Sequence, residues 1–156
     1  MPNILITGAT AGYGLAMARL FGSHGWSLVL VGRRTERLET VKTELEGKVK
    51  VHVVTLDVTD RAAVEKAMEA IPEEFATIDA LVNNAGLAVG IDPAQRGNLD
   101  DWDVMVDTNI KGMFLFIILD VFVCEKERST PLIINCWHIL VAFFLHLTNI
   151  CPIPSR

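Results

Sequence analysis

Ile4-Leu5-Ile6-Thr7-Gly8-Ala9-Thr10-Ala11-Gly12-Tyr13-Gly14 stands near the start of a 156-residue chain and joins an apolar run to a glycine-rich turn. Taken alone, a run as short as Ile4 to Thr7 fits a buried strand or a buried helix, and the glycines that follow favour a strand end. Gly8, Gly12 and Gly14 have the spacing Gly-x-x-x-Gly-x-Gly. Such a turn bends tightly and lets a pyrophosphate approach without a Cβ in the way. Leu15, Ala18 and Gly22 then recur at helical spacing, with Gly25 as a stop. A helix starting here would aim free N–H groups and its positive dipole end at phosphates. A glycine turn that holds no ligand has the same local sequence.

Ser27-Leu28-Val29-Leu30-Val31-Gly32 reads as a second buried strand and completes a strand–helix–strand unit. At its end, where an NAD-binding unit carries an acid for the ribose 2′-hydroxyl, the chain has Arg33-Arg34. An acid would repel a 2′-phosphate, whereas guanidinium forks pair with one, so these residues point to NADP(H) over NAD(H). The plainer alternative is two arginines that end a strand and face water.

Working outward, Val51 to Leu56 reads as a third strand ending in Asp57-Val58, and Ala80-Leu81-Val82 as a fourth ending in Asn83-Asn84-Ala85-Gly86. Leu38, Val41 and Leu45 line one helix face; Ala63, Val64, Ala67, Met68 and Ile71 line another, before Pro72. Asn98 with Asp101 has the pattern of a capping box for a helix whose core-facing stripe is Trp102, Met105 and Val106. Such alternation predicts a parallel sheet covered on both faces.

With these residues in order, the chain resembles the short-chain dehydrogenase/reductase family. Asp57-Val58 is similar to its adenine-contacting dipeptide, Asn83-Asn84-Ala85-Gly86 to its Asn-Asn-Ala-Gly motif, and Asn109 in Asp107-Thr108-Asn109-Ile110-Lys111-Gly112 to its active-site asparagine. Thr-Gly-Ala-Thr-Ala-Gly, Gly-Arg-Arg-x-Glu-Arg-Leu and Asn-Asn-Ala-Gly-Leu-Ala together resemble the NADP-dependent 3-hydroxy acid (serine-type) dehydrogenases. The resemblance implies an α/β, Rossmann-type doubly wound parallel sheet in the order 3-2-1-4, with Ile133-Ile134-Asn135 as a candidate fifth strand. It implies NADP as cofactor, held by Thr7, Gly8, Thr10, Gly12, Tyr13 and Gly14 in the first turn. Arg33 and Arg34 follow the second strand, Asp57 and Val58 the third, and Asn84, Ala85 and Gly86 the fourth. Asn109 is its catalytic residue. Read singly, Asp57 is equally a turn acid before the helix near Asp60, Asn83 and Asn84 are equally turn residues, and Asn109 equally a solvated helix residue.

The resemblance covers residues 1 to about 112, an NADP-binding part, and 113–156 reads as a divergent apolar tail in place of the catalytic half. Family chemistry moves a hydride between the cofactor and a hydroxyl-bearing carbon of a hydroxy acid or other small alcohol or carbonyl compound. Tyrosine serves as acid/base, lysine lowers its pKa and serine orients the substrate. Here the only tyrosine is Tyr13, no Tyr-x-x-x-Lys occurs, Lys126 is the last lysine, and no serine lies between Ser129 and Ser155. The expectation is a truncated NADP-dependent enzyme with impaired turnover and without the family's oligomer interface. A non-catalytic NADP-binding or interaction module, and a membrane-anchored short isoform, stay open beside it.

The net charge of −5 and the absence of a basic patch beyond Arg33, Arg34 and Arg37 argue against a nucleic-acid surface. No charged, apolar leader precedes Ile4, so a cytoplasmic location is expected. All three cysteines (Cys124, Cys136, Cys151) are widely spaced, without Cys-x-x-Cys, and no metal site is expected. His138 and His146, two helical turns apart, read as polar interruptions of an apolar run. Leu132 to Ile150 has about the twenty residues a membrane span needs, but its two histidines and two asparagines speak against one.

Overall fold

A computed structural model of the chain describes residues 1–90, 96–118 and 132–136. Five strands, β1 (Asn3–Thr7), β2 (Ser27–Gly32), β3 (Val51–Thr55), β4 (Ala80–Asn83) and β5 (Leu132–Asn135), form one sheet in the order β3-β2-β1-β4-β5. Every pairing is parallel, with Leu5 opposite both Val29 and Leu81, and Leu81 opposite Ile133. The expected order 3-2-1-4 is observed, and the candidate fifth strand takes the edge beside β4.

Helices α1 (Gly12–Ser23), α2 (Thr35–Leu45), α3 (Arg61–Glu69) and α4 (Leu99–Val106) connect the strands. Because strand side chains alternate, β1, β2 and β4 feed two cores. Ile4, Ile6, Leu28, Leu30, Ala80 and Val82 pack on one face with Ala18 of α1 and Leu38, Val41 and Leu45 of α2. Leu5, Val29, Val31 and Leu81 pack on the other with Val64 of α3, Phe75, Ile78 and Phe116. β1 and β2 are buried at every position, which is why Ile4 to Ile6 and Leu28 to Val31 within them read as unbroken apolar runs. Full burial of one such Ile or Leu contributes about 1.5–3 kcal/mol.

Local signals worked out with two differences. Gly25 follows α1 with φ +80° as a stop, and Asp60 caps α3 by accepting from the Ala63 N–H. Asn98 caps α4 by accepting from the Asp100 N–H at 3.0 Å, one residue earlier than a capping box requires. Gly90 (φ +73°) leaves room for the Asp101 carboxylate, since a Cβ there would lie 3.0 Å from its Oδ2. The stripe Trp102, Met105, Val106 is only half-buried, and α4 buries no residue fully. Beyond α4 the chain passes through a π-helical segment, Asp107–Gly112, and continues as helix over 113–118, where Phe116 is buried.

Leu132–Asn135, the start of the apolar run weighed as a membrane span, is strand. Residues 137–150 of that run, with His138 and His146, lie outside the described residues, as do Cys124 and Cys151. Among the described residues no helix is long and apolar enough to cross a membrane, and no cluster of metal-ligating side chains occurs.

Candidate functional site

The C-terminal ends of β1, β2, β3 and β4 open into a cleft of about 590 Å³ lined by the β1–α1 turn, the arginine pair, Asp57-Val58 and the segment 84–87. In open parallel sheets the crevice beyond the strand ends, where strand order reverses, is where ligands sit. Here β1 is flanked by β2 and β4, so the reversal lies at the Gly8 turn.

The glycines of that turn serve different purposes. Gly8 (φ +67°) has Asn84 Nδ2 and the Ala85 backbone within 3.0 Å of where a Cβ would stand. At Gly14 a Cβ would lie 2.3 Å from the Gly8 carbonyl oxygen. These two are glycine because the protein's own backbone fills the space. Gly12 (φ +53°) has nothing within 4 Å of its missing Cβ, so it alone leaves an open approach for a ligand. α1 begins at that point without a side-chain cap and with no acidic residue in its first turn, whereas Asp60 and Asn98 cap α3 and α4. The dipole end of α1 is therefore left bare toward the cleft.

Thr7 is buried beneath the turn and ties β1 to β4. Its Oγ1 accepts from the backbone N–H of Asn84 (3.0 Å) and Ala85 (2.9 Å) and donates to the Val82 carbonyl (3.4 Å). Asn84 returns the tie, donating from Nδ2 to the carbonyls of Thr7 (3.0 Å) and Gly8 (3.2 Å). Next to it, Asn83 donates to Asn135 Oδ1 across β4 and β5 at 3.1 Å, while its own buried Oδ1 lacks a partner among the described residues.

The arginines leave β2 on opposite errands. Arg33 Nη1 lies 3.4 Å from Asp57 Oδ2, and both side chains are well exposed, so the pair is worth little. Arg34 donates from Nη2 to Thr10 Oγ1 at 2.8 Å. Asp57 Oδ1 accepts from the N–H (3.0 Å) and hydroxyl (2.8 Å) of Thr59. Burial pushes the Asp57 carboxyl upward, but the Thr59 bonds and the nearby Arg33 cation outweigh it and hold the group below its ordinary value. Asp57 is thus a turn acid and a cleft residue at once.

Asn109 sits in the π-helical segment, a feature that recurs at functional sites. It donates from Nδ2 to the Leu87 carbonyl (2.8 Å) and accepts at Oδ1 from the Leu87 N–H (2.9 Å), which binds the helix to the segment after β4. Gly112 lets the same helix press on Val58, where a Cβ would come within 2.9 Å of Cγ2.

Of the residues read from sequence, Gly8, Thr10, Gly12, Arg33, Arg34, Asp57, Val58, Asn84, Ala85 and Gly86 converge on the cleft. Thr7 and Gly14 lie behind its wall as struts, Tyr13 is 67% exposed on α1, and Asn109 braces Leu87. Ala11, Leu87 and Thr108 also line the cleft. Each lies within a motif read from the sequence, next to a residue expected at the site. Cys136, which follows β5, is half-buried, and burial pushes its thiol up.

The short chain dehydrogenase family profile matches residues 2–136, through β5. Sulfoacetaldehyde reductase 2 of Chromohalobacter salexigens is 53% identical over 110 residues, 70% of this chain and 44% of that protein. The NADP-dependent 3-hydroxy acid dehydrogenase YdfG of Salmonella typhi is 44% identical over 132 residues, 85% of this chain and 52% of that one. The closed form of a serine dehydrogenase complexed with NADP+ superposes with a TM-score of 0.78 at 40% identity, covering 85% of this chain and 52% of that chain. The chain thus spans about half the length of the relatives it matches.

Proposed function

The chain belongs to the short chain dehydrogenase family, and from that premise we propose that it binds NADP(H) in the cleft at the β1–β4 switch point. The observation that carries this reading is the arrangement of two guanidinium groups, Arg33 and Arg34, beside an uncapped helix start and the open backbone at Gly12. The first matches a 2′-phosphate and the second a pyrophosphate. Gly8, Thr10, Gly12 and Asn84 to Gly86 form the cradle, with Asp57 and Val58 at its adenine end; Thr7, Tyr13 and Gly14 complete the first turn.

When bound, NADP(H) would accept a hydride from a hydroxyl-bearing carbon, or in its reduced form donate one to the corresponding carbonyl carbon, the exchange the family performs. Relatives named for sulfoacetaldehyde, a 3-hydroxy acid and serine point to a small alcohol or carbonyl substrate, with hydroxy acids first. Asn109, through Leu87, holds the wall of the cleft in place and is the one catalytic-site residue carried over from the family. The 156 residues hold no Tyr-x-x-x-Lys, so the proton-transfer help worth roughly 10²–10⁴-fold in such reactions is missing from them. Our reading is a nucleotide-binding part over 1–112 and a segment over 113–156 that stands where the catalytic half would be. Turnover by this chain alone is accordingly impaired. A cytoplasmic location and loss of the family's oligomer interface go with this proposal.

The test is calorimetric titration of NADP+ and NAD+ into the wild type and into the Arg33→Ala, Arg34→Ala double variant. Hydrogen bonds to charged groups are worth about 1.5–3 kcal/mol each, so wild type should prefer NADP+ by at least roughly tenfold and the variant should lose that preference. Equal binding of both cofactors by wild type refutes the assignment. Serine and 3-hydroxy acids with NADP+ should give little turnover; an ordinary rate, abolished by Asn109→Ala, would overturn the impaired reading.

A further inference from the structure

We propose that Thr10 is a positioning residue for 2′-phosphate recognition, holding the Arg34 guanidinium at the cleft edge before any ligand arrives. The inference rests on the NADP(H) reading and assigns its selectivity unequally between the two arginines.

Arg34 is fixed at both ends. Its backbone is the N-cap of α2, and its carbonyl accepts from the N–H of Arg37 and of Leu38, each at 3.1 Å. Its guanidinium donates to Thr10 Oγ1 at 2.8 Å. Thr10 in turn is buried, and the Ala9 N–H beside it donates to the Val31 carbonyl at 3.1 Å, locking the β1–α1 turn to the end of β2. Gly32 completes the seat. A Cβ there would stand 3.0 Å from Thr10 Cγ2, so the glycine at the end of β2 makes room for the threonine that reaches across to Arg34.

Arg33 lacks this support among the described residues. Its one hydrogen bond there is the 3.4 Å contact to the exposed Asp57 carboxylate, whose negative charge also offsets its own. A long, flexible side chain loses rotamer freedom when it binds, and a guanidinium already in place loses less. Arg34 therefore carries most of the discrimination for a 2′-phosphate, and the Thr10 hydroxyl is what makes it ready. One donor of Arg34 is used on Thr10, leaving the rest of its five N–H groups for a phosphate.

The test uses the full 156-residue chain and four ligands: NADP+, NAD+, 2′,5′-ADP and 5′-AMP. Thr10→Val keeps the shape and removes the hydroxyl; Thr10→Ser keeps the hydroxyl. We expect Thr10→Val to weaken NADP+ and 2′,5′-ADP by about tenfold more than it weakens NAD+ and 5′-AMP, the worth of one charge-assisted hydrogen bond. Thr10→Ser should bind as wild type does. Should the valine variant not fold, Thr10→Ala carries the same comparison. A drop for all four ligands together would mean that Thr10 only shapes the turn, and an unchanged preference would mean that Arg34 needs no support; either overturns the proposal. A wild type without any preference for the 2′-phosphate ligands is a separate failure, that of the cofactor reading itself.

Discussion

Replacing Thr7 by valine removes one oxygen and leaves shape and volume nearly unchanged, so it isolates the polar tie between β1 and β4. Thr7 is 2% exposed, and its Oγ1 is the acceptor for two backbone N–H groups, those of Asn84 at 3.0 Å and Ala85 at 2.9 Å. Its own donation to Val82 is long, at 3.4 Å, and adds little. In the variant two donors face a methyl group. Leaving a buried donor unpaired costs about 1–3 kcal/mol, and Asn84 and Ala85 are only half-buried, so the lower half of that range applies to each and the sum is about 2–4 kcal/mol. With a urea dependence of about 2 kcal/mol per molar, the unfolding midpoint should fall by about 1–2 M, a large share of the stability of an ordinary domain. Thr7→Ser keeps the oxygen and should recover most of the loss. The measurement is urea unfolding followed by circular dichroism and by tryptophan fluorescence. If valine and serine variants melt together, or the valine variant stays within about 0.5 kcal/mol of wild type, Thr7 is not the strut described here.

Gly14→Ala should be severely destabilising, by several kcal/mol on the scale of backbone clashes that cannot relax, because its Cβ would sit 2.3 Å from the Gly8 carbonyl oxygen; thermal unfolding of the variant at or above the wild-type midpoint would refute the packing. Asn109→Asp keeps the acceptor for the Leu87 N–H but sets a carboxylate oxygen against the Leu87 carbonyl, so it should destabilise by about 1–3 kcal/mol near neutral pH and recover toward acid, read from melts at both pH values. The Asp57 carboxyl is pushed up by burial and pulled further down by Thr59 and Arg33, so its folded pKa lies below the unfolded value of about 3.9. Its contribution to stability is therefore full above that pH and lost as pH falls through the folded value; Asp57→Asn should flatten this acid limb, and an unchanged limb in the variant would contradict the sign.

The chain by itself determined the sheet and its helices. Ile4 to Ile6, Leu28 to Val31 and Ala80 to Val82 are apolar without interruption because both faces of a parallel sheet are covered, and Leu38, Val41 and Leu45 repeat at helical spacing because one face of α2 is buried. Both patterns are local, and a residue's neighbours in sequence suffice to show them. The motifs likewise marked which segments would meet at the strand ends, and the arginine pair carries in its charge alone the preference for NADP(H) proposed above.

Tertiary structure decided what each of those residues does. The contacts that divide the labour join Thr10 to Arg34 and Arg33 to Asp57 across 24 positions, Asn109 to Leu87 across 22, and Thr7 to Asn84 across 77. Sequence spacing gives no geometry over such distances; the order β3-β2-β1-β4 sets them side by side. The same holds for the glycines. Their spacing announced a phosphate-binding turn, but only the packed structure separates Gly12, open to a ligand, from Gly8 and Gly14, whose missing Cβ atoms leave room for Asn84, Ala85 and the turn's own carbonyl. A glycine looks the same in sequence whether the space beside it is kept for a ligand or filled by the protein, because part of what fills it, Asn84 and Ala85, comes from a segment some seventy residues away.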